Sequence, residues 1–460
     1  MFYEHNQQQL SRFKSIIYPK YKAYNLANFR QISQLSGLPK DLLFDIEVVG
    51  NVLPFKASNY IVNELINWDN VPYDPIYILT FPQRDMLSQE HYNKMASALI
   101  RKLSKRQISQ IANEIRMELN PHPSGQLEYN IPSIEGKKIR GMQHKYNETA
   151  LFFPKEGQTC HSYCTFCFRW PQFTGLDHLK FSMKEVNTVI RYLKNHPEIS
   201  DLLITGGDPM VMSGKSFSAY IEQILKANIP TLKTIRIGSK SLSYWPYRFT
   251  TDPDADKILK SFENVVNSGR HLAFMAHFNH YQELKTSVVV QAINRINDTG
   301  AIIRTQSPVF RYINDDPKVW EIMWKMQTQL RCIPYYMFIA RNTGAQQYFN
   351  VSLLKAYKIF IEAYSNVSGC CKTVRGPVMS CHPGKVQILG TTKIFNEEVF
   401  ILRFIQARNP EWVQRPFFAL FDEAATWFTD LKPAFGEEKF FFEDDLELHL
   451  EEKMKLHKIS

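Results

Sequence analysis

Long apolar runs are missing from this chain of 460 residues. No stretch approaches the roughly 18 consecutive apolar residues that identify a membrane-spanning helix. The first residues, MFYEHNQQQLSRFKS, lack the apolar segment of a secretory signal peptide. A disulfide framework is missing as well, since the cysteines outside one short segment are scattered: Cys332, Cys370, Cys371 and Cys381. These absences predict a protein of the reducing cytoplasm that does not enter a membrane.

Signatures of nucleic-acid binding are also missing, although the net charge is +10 and the pI is about 9.0. The chain has no zinc finger and no aromatic RNA-binding motif, and its lysines and arginines are spread along the whole length. It has no internal repeat and no low-complexity linker. With 44% hydrophobic and 22% charged residues, its composition is that of an ordinary globular protein. We therefore expect a solvated basic surface without a nucleic-acid partner.

Three cysteines in one short segment carry the main chemical signal. Cys160, Cys164 and Cys167 stand in TCHSYCTFCFRW, with the spacing Cys-x3-Cys-x2-Cys. Structural zinc sites use four ligands and commonly divide them between two distant pairs. Three thiolates at this asymmetric spacing instead suit a [4Fe–4S] cluster in which one iron stays open to a substrate or cofactor. A partial zinc site and a set of buried apolar thiols remain the alternatives.

The chain divides by pattern into three parts. Residues 1–140 are predicted to be mainly helical, and apolar residues between Ile108 and Leu119 recur at helical spacing. Residues 141–390 form the predicted catalytic unit, and residues 391–460 form a small C-terminal extension.

Short apolar runs alternate with helical patterns across the middle part. The strand candidates are Ala150–Phe153, Asp201–Thr205, Thr234–Ile237, His271–His277, Ala301–Thr305 and Ile333–Ile339, followed by Val386–Leu389 and Val399–Phe404. The helix candidates are Met183–Lys194, Phe217–Lys226, Ala255–Ser268, Val288–Thr299 and Pro317–Leu330. This alternation predicts an α/β fold in which parallel strands are joined by helical crossovers and curl into a barrel or part of one. The cysteine segment follows the first strand, at the end where such folds place their active sites.

The motifs, taken in order, resemble the lysine 2,3-aminomutase family of radical S-adenosylmethionine (SAM) enzymes over about residues 140–390. They are Lys145-Tyr146, the cysteine segment with Arg169, Ile204-Thr-Gly-Gly-Asp-Pro209, Ile235-Arg-Ile-Gly-Ser-Lys240, His277-Phe-Asn-His280, Thr305-Gln-Ser307 with Asn314-Asp315, Pro334-Tyr-Tyr336, Val374-Arg-Gly376 and Gly384-Lys385. The resemblance implies a partial (β/α)6 TIM-like radical SAM barrel. It also implies an isomerase that cleaves SAM at the cluster and moves an amino group between Cα and Cβ of an amino acid, with pyridoxal 5′-phosphate (PLP) as a further cofactor. A flavodoxin or ferredoxin-type electron donor and assembly into a homo-oligomer are part of this expectation.

The resemblance assigns cofactor-binding roles to nine residues. Those for SAM and PLP are Phe166, Gly206, Gly207, Asp208, Gln306, Lys145, Tyr146, Arg236 and Lys385. Lys385 would be the catalytic lysine that forms a Schiff base with PLP. The Gly-Gly pair after a strand allows a ligand to approach the backbone closely. For Asp208, capping of the next helix is an equally good interpretation.

The resemblance also suggests how the substrate is held. Arg169, whose planar guanidinium suits a carboxylate, would bind the substrate carboxylate and take part in catalysis.

Two departures from the family pattern stand out. The segment from Arg375 to Lys385 is shorter than expected, and Arg341 replaces the Asp that would bind the ε-ammonium of lysine. Because a cation repels an ammonium group, an acidic or neutral amino acid is the expected substrate.

Three functions are therefore open. The first is a radical SAM, PLP-dependent 2,3-aminomutase-like enzyme, and the second is a radical SAM enzyme that lacks PLP and abstracts hydrogen in another reaction. The third is a metal-stabilised nucleic-acid-binding protein. Absorbance would distinguish them. Iron–sulfur and PLP bands together indicate the first function, and iron–sulfur bands alone indicate the second. The absence of both bands, together with RNA binding, indicates the third.

Overall fold

The computed structural model of the protein describes residues 19–119, 130–176, 179–340 and 343–448. Its strands are β1 Ala23–Tyr24, β2 Ala57–Ser58, β3 Ser133–Ile134, β4 Lys137–Lys138, β5 Met142–Tyr146, β6 Thr149–Phe152, β7 Asp201–Ile204, β8 Thr234–Ser239, β9 His271–His277, β10 Ile302–Val309, β11 Ile333–Ile339, β12 Arg375–Ser380, β13 Gly384–Ile394, β14 Glu397–Ala407 and β15 Pro416–Leu420. Its α-helices are α1 Lys40–Val52, α2 Pro75–Thr80, α3 Gln89–Ile100, α4 Lys105–Glu118, α5 Val186–Asn195, α6 Gly214–Lys226, α7 Ser241–Tyr244, α8 Ala255–Asn267, α9 Ser287–Asp298, α10 Pro317–Gln329, α11 Gln346–Phe349 and α12 Leu353–Ser365. Within these ranges, none of the helices combines the length and the apolar character needed to cross a bilayer.

One mixed sheet of eleven strands organises the fold. Its strands lie in the order β15-β14-β13-β12-β11-β10-β9-β8-β7-β6-β5. All neighbouring pairs from β6 to β12 are parallel, whereas β5 and the strands β13 to β15 pair antiparallel with their neighbours. The predicted parallel pairing is therefore confirmed, within a mixed α/β fold.

The predicted strands and helices of the middle part are all present. The six strand candidates correspond to β6 through β11, and the five helix candidates correspond to α5, α6, α8, α9 and α10. Each connection between neighbouring parallel strands contains a helix, as parallel pairing requires. Three strands of the sheet were not predicted, namely β5, β12 and β15.

Local sequence explains the start and the buried face of α4. The Ser104 side chain accepts a hydrogen bond from the backbone N–H of Gln107, whose side chain bonds back to the N–H of Ser104. Ile115 is buried and Ile108 and Ile111 are half-buried, so the predicted apolar face packs against the rest of the fold. The described part of the N-terminal region contains α1 to α4 and is mainly helical, as the sequence indicates.

The C-terminal segment extends the same sheet. β13 and β14 form a long antiparallel hairpin, and β15 adds the edge strand. β13 runs from Gly384 to Ile394 and therefore passes through residue 390, where the sequence pattern places a boundary. The hairpin brings residues from beyond that boundary, such as Gln406 on β14, opposite the start of β13.

Candidate active site

A cavity of about 410 Å³ opens at the carboxyl ends of the parallel strands. Its wall includes Gly206 after β7, Lys240 after β8, His277 at the end of β9 and Phe310 after β10. This end of a parallel sheet gathers the loops that follow successive strands. The cavity is therefore the place where residues distant in sequence can act on one ligand.

The three cysteines of the loop after β6 all line this cavity. Burial raises the pKa of Cys164 to about 11 and that of Cys167 to about 12, and it also raises the pKa of Cys160. A thiolate in such surroundings needs a bound cation, because coordination to a metal deprotonates the sulfur outright. Burial and convergence on one cavity thus fit a metal centre.

The spacing of the sulfur atoms distinguishes two kinds of centre. Among the described residues, the cysteine sulfur atoms do not form a group in which all lie within 4.8 Å of one another. Thiolates on one tetrahedral zinc, with Zn–S bonds of about 2.3 Å, lie only about 3.8 Å apart. A [4Fe–4S] cluster binds each thiolate at a different iron and keeps the sulfur atoms farther apart. The positions of the sulfur atoms are thus compatible with a cluster.

The N-terminal region fixes the backbone of the cysteine loop. The N–H of Tyr163 donates to the carbonyl of Lys56 at 2.7 Å, and the N–H of Thr165 donates to the carbonyl of Leu79 at 3.0 Å. The Ser162 hydroxyl accepts a hydrogen bond from the N–H of Ser58 at 2.8 Å. These bonds cross from β2, α2 and their flanking residues to the loop, so the helical region supports the site directly.

The glycine pair after β7 comes close to the start of the cysteine loop. A Cβ atom on Gly207 would lie 2.6 Å from the backbone nitrogen of Thr159, which leaves no room for a side chain. Gly206 has φ +155°, a backbone angle that favours glycine. Both glycines line the cavity, as expected for backbone that approaches SAM.

Asp208 is buried next to these glycines and has a structural role in the described chain. Its carboxylate accepts hydrogen bonds from the N–H of Met210 and the N–H of Lys240, both at 2.9 Å, and from the hydroxyls of Ser239 and Ser241. Three of these donors reach Oδ2 and one reaches Oδ1. Capping of the turn after β7 therefore accounts for Asp208 without a ligand.

Lys385 lies at the start of β13 with its amine in the cavity wall. Its Nζ donates to Oε1 of Gln406 at 2.9 Å and stands 4.9 Å from the ring centre of Tyr336 and 5.4 Å from that of Tyr146. Burial, together with the nearby cations Arg236 and Arg375, lowers the pKa of Lys385 to about 7. A lysine with this pKa has a large neutral fraction near pH 7 and can act as a nucleophile.

Cations surround Lys385 on the side of a second, adjoining cavity of about 310 Å³. Arg236 on β8 pairs with Asp201 at 2.8 Å, whereas Arg375 on β12 has no carboxylate partner among the described residues. Lys145 lines the first cavity, and its amine donates to the carbonyl of Cys381. Phosphate groups bind to such clusters of positive charge. The surroundings of Lys385 therefore fit the phosphate and aromatic ring of PLP.

Arg169 is a buried guanidinium beside the cluster loop. Burial lowers its pKa to about 10, so it remains charged at pH 7. Its side chain stacks over the ring of Phe153 at 4.4 Å and donates a long hydrogen bond of 3.4 Å to Gln158. Its Nε has no hydrogen-bond partner, and it pairs with no carboxylate among the described residues. A buried cation in this state fits a ligand carboxylate.

Three further predicted residues remain. Phe166 and Gln306 line the cavity, and Phe166 stacks on Phe310 with ring centres 3.9 Å apart. Arg341 lies outside the described residues.

Sequence reasoning did not select several residues that the fold brings into the site. Gln406 comes from the C-terminal hairpin, and Arg375 and Tyr336 stand beside Lys385. His277 lines the cavity, and burial holds its pKa well below the usual value. Three of these four lie in quoted motifs, but Gln406 lies in a plain strand pattern that carries no chemical signal.

A mixed α/β fold with a three-cysteine loop at the carboxyl ends of its parallel strands defines a radical SAM enzyme by class. Comparison with curated proteins names the family. The chain is 31% identical to the "Putative L-lysine 2,3-aminomutase" of Aquifex aeolicus (strain VF5), across 87% of this chain and 94% of that protein. The chain therefore belongs to the lysine 2,3-aminomutase-like family of radical SAM enzymes.

Other relatives match over shorter stretches. The L-lysine 2,3-aminomutase of Clostridium subterminale is 26% identical, across 55% of this chain and 58% of that protein. The L-lysine 2,3-aminomutase of Bacillus subtilis (strain 168) is 28% identical, across 53% of this chain and 48% of that protein. The chain thus spans about half the length of these two relatives. No family model matches it.

Solved structures show a weak likeness. The crystal structure of Streptococcus suis SuiB bound to the precursor peptide SuiA gives a TM-score of 0.33 at 10% identity, over 56% of this chain and 51% of that chain. The structure of SuiB alone gives 0.30 at the same identity, over 56% of this chain and 55% of that chain. Values this low carry no argument about function.

Proposed function

We propose that this protein is a radical SAM, PLP-dependent 2,3-aminomutase that acts on an amino acid other than lysine. One observation carries the proposal. Lys385, with its pKa lowered to about 7, and the cysteines Cys160, Cys164 and Cys167 all line the same cavity. An aminomutase of this type needs both a lysine for PLP and a cluster for SAM within reach of one substrate. The arrangement supports this pairing.

The residues of the chain have separate tasks in this proposal. The cysteines would bind the [4Fe–4S] cluster, the Gly206-Gly207 turn would border SAM, and Lys385 would hold PLP between Tyr146 and Tyr336. When bound, these cofactors supply the electron, the hydrogen-abstracting radical and the group that carries the migrating nitrogen. Lys145, Arg236 and Arg375 would offset the charge of the PLP phosphate.

Substrate positioning would fall to Arg169. Among the described residues, its Nε has no hydrogen-bond partner and no carboxylate pairs with it, so it is able to bind the α-carboxylate in a bidentate manner. The apolar wall formed by Phe153 and Phe166 would shield the reacting carbon from water. Asp208 and Lys240 would hold the surrounding loops, since both are occupied by hydrogen bonds inside the protein.

The preference against lysine rests on sequence. Arg341 stands where the family pattern has an acidic residue for the substrate ammonium, and a cation there repels a second ammonium. An acidic amino acid such as glutamate, or a neutral one, suits this position better.

A partial six-unit barrel at residues 141–390, flanked by the parts at 1–140 and 391–460, is the architecture that we propose for the chain. A flavodoxin or ferredoxin-type protein would supply the electron.

Borohydride reduction of PLP-loaded protein, followed by peptide mapping, tests the proposal. The pyridoxyl group should appear on Lys385, whose amine is uncharged in a large fraction of molecules. Lys240 is the matched control, because it lines the same cavity but its Nζ pairs with Glu283 at 2.7 Å. A label on Lys240 would remove Lys385 from the PLP site, and no label in protein that cleaves SAM would favour the PLP-free radical SAM enzyme instead.

A further inference from the structure

A second group of metal-ligating side chains lies apart from the cavity. It consists of His144 on β5, His196 directly after α5, and Glu198 in the connection to β7. One ligand atom of each residue lies within 4.8 Å of the other two. In the described parts of the chain, no other set of three or more His, Cys, Asp or Glu residues converges in this way.

The side chains in this group are already oriented by contacts with one another and with Tyr192. His196 Nδ1 lies 2.7 Å from Oε1 of Glu198, and His144 Nδ1 lies 2.8 Å from the hydroxyl of Tyr192. Nε2 of His144 lies 3.1 Å from the carbonyl oxygen of Asn147, a contact that a bound ion would replace. The His196 ring stacks on Tyr192 with centres 4.0 Å apart. Such outer contacts fix the direction of imidazole rings at metal sites.

A histidine–glutamate pair alone is an ordinary surface feature, and the chain provides an example. His91 Nε2 lies 2.8 Å from Oε2 of Glu118. There the described residues add no further His, Cys, Asp or Glu to form a group of three. The difference at His196 and Glu198 is the second imidazole, which turns a pair into a chelating set.

We propose that His144, His196 and Glu198 bind one divalent transition-metal ion of the zinc class. Two imidazoles and one carboxylate are nitrogen and oxygen donors that suit zinc, whereas calcium and magnesium prefer oxygen ligands alone. Water would complete the coordination. The ion would join the edge strand β5 to the connection between α5 and β7.

The position of this site gives the ion a structural task. Lys145 and Tyr146 directly follow His144, and both line the main cavity. The pairing of β5 with β6 shifts register between His144 and Tyr146, so the strand is irregular there. An ion bound to His144 would fix this irregular strand from its outer side.

The test is a titration of cluster-reconstituted protein with zinc chloride, in competition with a chromogenic chelator. We expect one tight site, and we expect His196→Ala and Glu198→Gln each to weaken zinc binding by at least about 100-fold, since even loss of an outer-shell partner costs about 10–100-fold. His91→Ala is the matched control and should leave zinc affinity unchanged. Equal binding by wild type, His196→Ala and Glu198→Gln would overturn the proposal, as would the absence of a tight site in wild type.

X-ray absorption at the zinc edge separates this site from the cysteines. Nitrogen and oxygen neighbours at about 2.0–2.1 Å support the proposal, whereas sulfur neighbours at about 2.3 Å place the ion on the cysteines and overturn it. Thermal unfolding shows whether each variant is folded. Zinc should raise the Tm of wild type and of His91→Ala but not that of Glu198→Gln. An equal rise in all three would contradict the site.

Discussion

Nζ of Lys385 on β13 lies 2.9 Å from Oε1 of Gln406, the residue opposite it on β14. The partner is an uncharged amide, so the nearest acceptor does not hold the lysine as an ammonium ion. Asp201 raises the pKa of Lys385, but burial and the cations Arg236 and Arg375 outweigh it. The C-terminal hairpin therefore holds the amine of Lys385 without placing a negative charge beside it.

Replacement of Gln406 by Glu should change the pH dependence of PLP attachment. A carboxylate next to Nζ favours the ammonium form and should raise the pKa of Lys385 from about 7 by at least about one unit. Neutral lysine gains population as pH rises through its pKa, so the variant should need a higher pH. At pH 7, borohydride labelling should fall about fivefold or more. Gln414→Glu, on an exposed side chain bonded to Arg403, is the control. An unchanged profile in Gln406→Glu would mean that Gln406 does not influence Lys385.

Anaerobic reconstitution should give about four irons per chain, bound by Cys160, Cys164 and Cys167. Replacement of any one of them by Ser should abolish reductive cleavage of SAM, because each would hold a separate iron. Cys332→Ser is the control, since Cys332 is buried away from the cavity lining. Iron content and release of 5′-deoxyadenosine are the measurements. Stoichiometric zinc together with no SAM cleavage would contradict the cluster.

Loss of the Arg169 guanidinium should lower kcat/KM for the substrate more than it weakens SAM binding. Arg169→Gln removes a charged hydrogen-bond donor worth about 1.5–3 kcal/mol, which corresponds to about 10–150-fold in kcat/KM. Arg169→Lys should lose less, because the charge remains and only the bidentate geometry is lost. Arg403→Gln, away from the cavity lining, serves as the control. Equal kinetics for Arg169→Gln and wild type would remove Arg169 from the substrate site.

A methyl group on Gly207 should damage the turn that borders SAM. Its Cβ would lie 2.6 Å from the backbone nitrogen of Thr159, and backbone cannot yield as a side chain can. We expect Gly207→Ala to lose about 1–3 kcal/mol of stability and to bind SAM more weakly. Gly369→Ala is the matched control, since among the described residues no atom beyond its chain neighbours lies within 4 Å of the added Cβ. Thermal unfolding and SAM titration measure both effects. Wild-type SAM affinity in Gly207→Ala would argue against close approach of SAM to the backbone of Gly207.

A screen of free amino acids for β-isomers should show poor turnover of lysine and better turnover of an acidic or neutral amino acid. If Arg341 binds an anionic side chain, Arg341→Asp should cost more than about 1.5–3 kcal/mol with the native substrate, because repulsion replaces attraction. Arg341→Gln removes the attraction alone and should cost less. Efficient lysine turnover by the wild-type enzyme would overturn the role given to Arg341.

The parallel core was predictable because each of its strands is a short apolar run between helical patterns. The bounds of β9 and β11 agree with the predicted ones to the residue. β5 was not predicted, since its sequence MQHKY contains polar residues that line a cavity and an edge instead of packing in a core. β12 begins at Arg375 and contains Gly376 and Pro377, residues that are depleted in strands.

The lining of the candidate site was predictable where one motif carries several of its residues. The cysteine loop and the glycine turn are recognisable from the spacing of their residues, and both line the cavity. Gln406 could not be found in this way, because its role arises when the β13–β14 hairpin sets it opposite Lys385. Asp208 shows that a motif residue can also have a structural part, since its carboxylate accepts hydrogen bonds from four donors of the protein.

The hydrogen bonds from Lys56, Ser58 and Leu79 to the cysteine loop have a consequence for assembly of the cluster. The loop loses its conformational entropy when the polypeptide folds, before iron binds. Incoming iron and sulfide then meet a ligand set that is already shaped, which favours tight binding over exchange with cellular chelators. Contacts formed when the chain folds thus leave less ordering to be done when the cluster binds.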